Sequence, residues 1–431
     1  MQIINYPNID EKIIYERLEN GLQVYLIPKK DYHETSAVLT SKFGGLYHRY
    51  KFEYNDENYE VLPGSAHFLE HRIFDYKGKD VLREFSKLGA SINAYTSLDR
   101  TCYFFNTSKN FKKSLNLLLD FVQEFEVSEE SVENEKNIIT QEALMDYGEP
   151  GDLLYRGLRE CLFKNHPYKD EIVGDIDSIN KTTYKHLKAC HSKFYHPSNM
   201  FLVIVGKMDP TKVLDIIKEN QSKKTFDAFE NINKQDYKEP LKVNKEYDEI
   251  TTNRSNNLAY VAYKLEPLTN CTGFERSKIE KIYEIILSML FGKTSIFNQK
   301  MLNEKVYNND CSYSFSNFDQ MFYIGISNYN IFDVDKYIKS VKEVIIHCED
   351  YLLGEEIFKN NKKVLLNQFI SEFNNLLDLA LEVASLLADD NDFFDTIDVI
   401  KSITYPDIIN YAKKISNDNS CIYVVKGNKN D

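Results

Sequence analysis

The feature that most constrains the fold is an arrangement of elements that occurs twice. Residues 182–206 place Tyr184, Leu187, Cys190, His191 and Phe194 at helical spacing, followed by the apolar run Phe201-Leu202-Val203-Ile204-Val205, which stops at Gly206. Residues 404–427 repeat it: Tyr405, Ile408, Ile409 and Ala412, then Cys421-Ile422-Tyr423-Val424-Val425 and Gly427. A repeat about half a chain apart implies two similarly built halves. A chain of 431 residues is also two to three times the commonest domain size. The expected fold is therefore α+β: two homologous α+β domains, each a mainly antiparallel sheet packed with helices. A Lys-, Asn- and Asp-rich stretch around Pro240 predicts an exposed connection. The expected division is 1–222, a linker at 223–247, and 248–431.

Within the first half, Gly21 opens a strand that ends at Pro28, and residues 36–40 form its neighbour. Val81, Leu82, Phe85 and Leu88 predict a helix stopped by Gly89. Two strand-like pieces follow at 91–96 and 101–106. After them come a helix striped by Leu115, Leu118, Leu119, Val122 and Phe125, and another over 132–146. Acidic residues in the first turn of that last helix suit the positive end of its dipole.

Composition removes several classes of function. The 53 Lys and Arg against 66 Asp and Glu give a net charge of −13, without the basic excess that grips nucleic acid. Seven cysteines, an odd number with no C-x-x-C, argue for free thiols in a reducing compartment. No basic and then apolar leader opens the sequence, and no eighteen apolar residues run together. The expectation is a cytoplasmic protein with neither nucleic-acid nor membrane partners.

The chemistry concentrates in Ala66-His67-Phe68-Leu69-Glu70-His71-Arg72. On a helix, His67 and His71 project from one face a turn apart, where one Zn²⁺ can take both imidazoles. Glu70 lies on an adjoining face, placed to hold and deprotonate a water. Phe68 and Leu69 point elsewhere, toward a core. Pro63-Gly64-Ser65 supplies a turn and a hydroxyl to cap the helix. H-x-x-E-H is the reverse of the H-E-x-x-H zinc pattern. On spacing alone a solvated or core-satisfied histidine pair remains the commoner outcome, and a catalytic zinc needs a third protein ligand. Glu135 and Glu142, seven apart on one side of the 132–146 helix, offer one, although such pairs are usually just a wet helix face. The other histidines (33, 48, 166, 186, 191, 196 and 347) look structural or exposed, and Cys102 and Cys190 look like small buried groups.

Taken in order, these segments resemble the landmarks of the pitrilysin family, to which insulin-degrading enzyme and mitochondrial processing peptidase also belong. The landmarks are His67-Phe68-Leu69-Glu70-His71, Gly89-Ala90-Ser91-Ile92-Asn93-Ala94-Tyr95-Thr96, and the run from Val132 to Glu142. His166-Pro167-Tyr168 with Gly174, and Tyr195-His196-Pro197-Ser198-Asn199-Met200, continue the match. The resemblance implies a zinc metalloendopeptidase of the small two-domain bacterial type. It implies one Zn²⁺ per chain on His67, His71 and Glu142, with Glu70 as general base and Glu135 as supporting carboxylate. It further implies that a peptide substrate adds as a strand along the segment holding Asn93 and Ala94. A non-catalytic scaffold of the same family is the alternative, but such members typically lose parts of the zinc constellation.

The family encloses peptides between two two-domain halves, and the half opposite the zinc usually brings an Arg and, seven residues later, a Tyr. Tyr313 resembles that Tyr, but Asn303 stands at the arginine position, the interval between them is longer than in the family, and no arginine follows Arg276. Lys300 or Lys305 would supply a point charge in place of a planar fork. The expected partner is a related chain lacking zinc ligands, in a heterodimer, otherwise a second copy in a homodimer.

Overall fold

The computed structural model describes residues 1–428 apart from 8, 147–148, 234, 236, 270, 319–320, 353 and 390–392. The chain forms two compact units, and neither is a continuous stretch. The first comprises Met1–Leu144, Asp170–Gln235 and Glu372–Phe394; the second comprises Met145–Lys169, Asp236–Ser371 and Asp395–Asp431. Each half of the chain thus lends a segment to the other unit, which the contiguous division at 222 and 248 did not anticipate.

The first unit is built on a seven-stranded sheet. Its strands are β1 (Gln2–Tyr6), β2 (Glu11–Arg17), β3 (Gln23–Pro28), β4 (Thr35–Ser41), β5 (Ala90–Thr96), β6 (Thr101–Thr107) and β7 (Met200–Gly206), in the order β1-β2-β3-β7-β4-β6-β5. Only β3 and β7 run parallel. The second unit has a five-stranded sheet of β8 (Tyr247–Thr252), β9 (Asn257–Leu265), β10 (Ser312–Phe318), β11 (Met321–Ile331) and β12 (Ser420–Gly427), in the order β8-β12-β9-β11-β10. Here β8 and β12 are the parallel pair. Strand for strand this matches β3-β7-β4-β6-β5, so the repeat in the sequence is a repeat of topology.

Central strands show why. Every residue of β4 and of β7 is buried, which requires cover on both faces and explains their unbroken apolar or small character. Part of that cover over β4 and β7 is the helix Leu376–Ala388, which comes from the far end of the chain and turns Leu379, Ala380, Val383 and Ala384 inward. In the second unit the equivalent strands β9 and β12 receive the helix Pro150–Leu162 from the first half. Its Leu154, Gly157, Leu158 and Cys161 are buried. The two helices are reciprocal: each sheet is covered by a helix made in the other half.

Local signals explain most boundaries. The helix Val81–Leu88 ends at Gly89, which takes the left-handed φ of 73° that glycine tolerates without strain. The helix Tyr184–Phe194 is capped by the Thr183 side chain, and Tyr405–Ala412 by a reciprocal capping box between Thr404 and Asp407. The segment between the halves departs from expectation. Among its described residues it has no regular element between Gln221 and Tyr247, yet it is not wholly exposed. The Glu239 side chain is 3% exposed, paired with Lys264. It also accepts the backbone N–H groups of Lys164, Asn165 and His166 at 3.1, 2.6 and 2.8 Å. A buried ion pair persists only with its remaining lone pairs satisfied, and this one stitches the connection into the second unit. Among the described residues no helix is long and apolar enough to cross a membrane.

The packing of Pro150–Leu162 is tight enough to test. A Cβ on Gly157 would lie 1.9 Å from the Tyr423 ring, whereas one on Gly151 would meet nothing closer than 3.8 Å. Gly157→Ala is expected to destabilise the second unit by about 1–3 kcal/mol. Gly151→Ala in the same helix should be neutral or gain up to about 1 kcal/mol. Urea unfolding midpoints of the two variants check the contrast.

Candidate metal centre

The helix α1 (Ser65–Ile73) carries H-x-x-E-H. It buries Ala66, Phe68, Leu69 and Ile73, which fixes its rotation and turns the two histidines toward α2 (Glu129–Asp146). Its N-cap is Gly64, left-handed with φ 83° and without a side-chain cap; Ser65 Oγ instead donates to the Leu62 carbonyl at 2.7 Å. The expected serine cap is therefore replaced by a glycine turn. A Cβ on Gly64 would sit 2.3 Å from the Val173 carbonyl, and one on Gly174 would sit 2.6 Å from that of Pro63. Gly174 is thus needed where residues 173–174 press against the start of α1.

His67, His71 and Glu142 offer one ligand atom each, all within 4.8 Å of one another. Nε2 of His67 lies 3.6 Å from Glu142 Oε1, and Nε2 of His71 lies 3.6 Å from Glu142 Oε2. Bonds of about 2.0–2.2 Å in a tetrahedron place ligand atoms roughly 3.3–3.6 Å apart. Two imidazoles and a carboxylate gathered this closely are a donor set that suits Zn²⁺.

Glu135 does a different job. On α2, Val132, Ile139 and Ala143 form the buried stripe, and Glu135, only 5% exposed, sits within it. Its Oε1 faces His71 Nδ1 at 3.0 Å, while Oε2 pairs with the Arg72 guanidinium. Burial alone would raise the Glu135 pKa. The bond to His71 and the charge of Arg72 outweigh it and hold the carboxyl below its ordinary range. An ionised Glu135 accepts from Nδ1–H, which leaves the lone pair of His71 Nε2 facing Glu142. Burial likewise opposes protonation of His71, but Glu135, Glu70 and Glu142 together raise its pKa. Burial, with His71 beside it, lowers His67 to about 3, so that imidazole stays neutral.

Glu70 is half-buried between α1 and the end of β5. Burial raises its pKa, opposed by a hydrogen bond that Thr96 Oγ1 donates to Oε2 at 2.7 Å. Asn93 and Ala94 lie mid-strand on β5, which is an edge of the sheet. Asn93 is exposed, and its Oδ1 accepts the Ala94 N–H at 2.9 Å, capping a donor that belongs to the edge. Tyr313 is half-buried on β10, an edge strand of the second unit. Asn303 ends the helix Ile296–Asn303 and is exposed, as are Lys300 and Lys305.

Sequence reasoning missed Arg72 and Thr96. A carboxylate on an otherwise apolar helix stripe at Glu135 was a signal that a cation had to be nearby, and Arg72 follows His71 directly. Nothing local marked Thr96. Of the histidines taken as structural, His48, His166, His186 and His191 are buried and His33 is exposed, and Cys102 and Cys190 are buried free thiols. Among the described residues the trio of His67, His71 and Glu142 is the one group placed to hold a metal ion.

Residues 55–176 match the family model described as insulinase (peptidase family M16), and residues 181–365 match that of the peptidase M16 inactive domain. An uncharacterised zinc protease of Bacillus subtilis, YmfH, is 33% identical over 411 residues, 95% of each chain. A zinc protease of Helicobacter pylori, PqqE, is 30% identical over 222 residues, 50% of this chain and 47% of that one. The crystal structure of a putative M16-like peptidase from Alicyclobacillus acidocaldarius superposes with a TM-score of 0.90 at 28% identity, covering 97% of this chain and 98% of that chain. Pitrilysin shares the fold, with a TM-score of 0.75 at 16% identity; 99% of this chain spans 46% of it. The chain belongs to peptidase family M16, in its small two-domain form.

The Arg72–Glu135 pair can be tested without metal. Arg72→Met leaves a buried carboxylate with one partner fewer, and is expected to destabilise the first unit by about 3–5 kcal/mol. Arg72→Lys should recover part of that loss. Thermal unfolding of the metal-free variants reads the difference.

Proposed function

We propose that the chain is a zinc metalloendopeptidase that cleaves peptides or small unfolded polypeptides. The observation that carries this is the convergence of His67, His71 and Glu142, with ligand atoms within 4.8 Å of one another, beside an independent carboxylate, Glu70. These three side chains would hold one zinc per chain, and Glu135 would fix the tautomer of His71. When bound, the ion supplies Lewis acidity toward a carbonyl and lowers the pKa of water. Glu70 takes a proton from the attacking water and delivers it to the leaving amine nitrogen as the C–N bond breaks.

Substrate would lie along β5. A peptide added there displaces the Asn93 side chain from the Ala94 N–H and takes its place, which gives backbone affinity with little sequence choice. Removal of a leader from a longer peptide suits such a site as well as the breakdown of short peptides. The working assembly in this reading is a heterodimer with a related chain that lacks zinc ligands and supplies the cation missing at Asn303, with a homodimer as the alternative. The cytoplasm is the proposed compartment, in keeping with seven cysteines that are all free thiols.

Zinc content and hydrolysis of internally quenched peptides test the reading together. Glu70→Gln should keep its zinc and lose hydrolysis. His71→Ala and Glu142→Gln should lose both, since each removes a ligand. Glu135→Gln should weaken zinc affinity by about 10–100-fold. Full activity of Glu70→Gln would refute the mechanism. For the assembly, strong hydrolysis by this chain alone, not raised by a zinc-less family member from the same genome, would exclude the heterodimer.

A further inference from the structure

We propose that Thr96 is a positioning residue for Glu70. It fixes the carboxylate that handles the proton, and it ties that carboxylate to the strand on which a peptide would lie. The inference rests on the zinc peptidase reading above and names a group that reading does not use.

The geometry is specific. Thr96 Oγ1 donates to Glu70 Oε2 at 2.7 Å. A glutamate has three side-chain torsions, so burial against one helix face does not define where its oxygens point. A donor held in place on a strand does. With Oε2 engaged, Oε1 is the oxygen left to receive the proton of the attacking water and return it to the amine nitrogen. Threonine suits the task because its branched Cβ restricts χ1, so the hydroxyl direction follows from the backbone.

That backbone is itself fixed. Thr96 is the last residue of β5 and pairs with Thr101 of β6. The turn between them closes through the Ser97 N–H on the Arg100 carbonyl at 2.8 Å. Residues 45 and 46 brace it, with Gly45 N–H on the Ser97 carbonyl at 3.0 Å and Leu46 N–H on that of Leu98 at 2.7 Å. On the far strand, Thr101 Oγ1 donates to the Phe43 carbonyl at 2.8 Å. The hydroxyl that holds the base is therefore carried by a pinned hairpin, not by a free loop. Because Asn93, Ala94 and Thr96 share β5, a peptide docked on the edge and the base that serves it are referenced to one strand.

The test compares Thr96→Val, which keeps the shape and loses the hydroxyl, with Thr96→Ser, which keeps the hydroxyl. Thr96→Ala is a second variant without it, should the valine misfold. Each full-length chain, alone and with the zinc-less family member from the same genome, is assayed for zinc content, thermal midpoint, and kcat and KM on an internally quenched peptide that the wild type cleaves. Misplacing a catalytic group by about 1 Å costs on the order of 100-fold. Thr96→Val and Thr96→Ala should therefore lose about 10–100-fold in kcat, with KM within about twofold and zinc and midpoint unchanged. Thr96→Ser should lie within about threefold of wild type. A wild-type kcat without the hydroxyl overturns the inference, as does a loss that appears equally in zinc content or stability, or one that serine does not restore. If the wild type neither holds zinc nor cleaves peptides, the reading beneath it falls and this inference with it; an active wild type beside an equally active Thr96→Val removes the inference alone.

Discussion

Glu135 is a carboxylate in a place where the periodicity of its helix calls for a leucine. With Val132, Ile139 and Ala143 around it, it loses the solvation of its charge and must recover it from fixed partners. Arg72 and His71, adjacent on α1, are those partners. Satisfying one buried charge thereby fixes the crossing of two helices that are more than fifty residues apart in sequence. Once α1 and α2 are locked there, Glu142, two turns further along α2, has little choice but to face the two Nε2 atoms. The clustering of His67, His71 and Glu142 is a by-product of a core that had to be made electrically whole.

How much of this was legible follows from the range of the interactions. The H-x-x-E-H face, the stop at Gly89 and the paired Val-Gly strand ends are local, and α1, the helix Val81–Leu88 and the strands β7 and β12 lie where those signals put them. The strand order common to both units extends that repeat to the whole sheet. What was not legible depends on distant chain. Leu376–Ala388 and Pro150–Leu162 are ordinary amphipathic helices, and nothing in either says that its apolar face belongs to a sheet made elsewhere. Glu239 reads as one more acidic residue in a wet connection until the three backbone N–H groups of residues 164–166 are found around it. Thr96 carries no signal at all, because a threonine at the end of a strand is unremarkable until its neighbour is known to be Glu70.

The edges of the two sheets differ in a way that bears on association. β8 sets Asp248 and Glu249 on its outer strand, a common guard against unwanted pairing. β5 has no charge in seven residues, and β10 has none in its seven. On β5 the guard is different: Asn93 folds back on the Ala94 N–H and satisfies it. Such an edge is guarded by a neutral side chain rather than by a charge.

The reciprocal helices bear on how the molecule comes into being. A ribosome delivers the chain from its N-terminus, and β1 to β7 are all out by residue 206. The cover for β4 and β7 is not, because it is encoded at 376–388. Through the synthesis of more than a third of the protein, the first sheet waits with part of its apolar face uncovered, while Pro150–Leu162 waits for a sheet that has not been made. The three candidate ligands, His67, His71 and Glu142, are all present in the nascent chain long before that cover is made. Completion of the first unit is thus tied to the end of translation, and a message truncated anywhere before residue 376 yields neither unit whole.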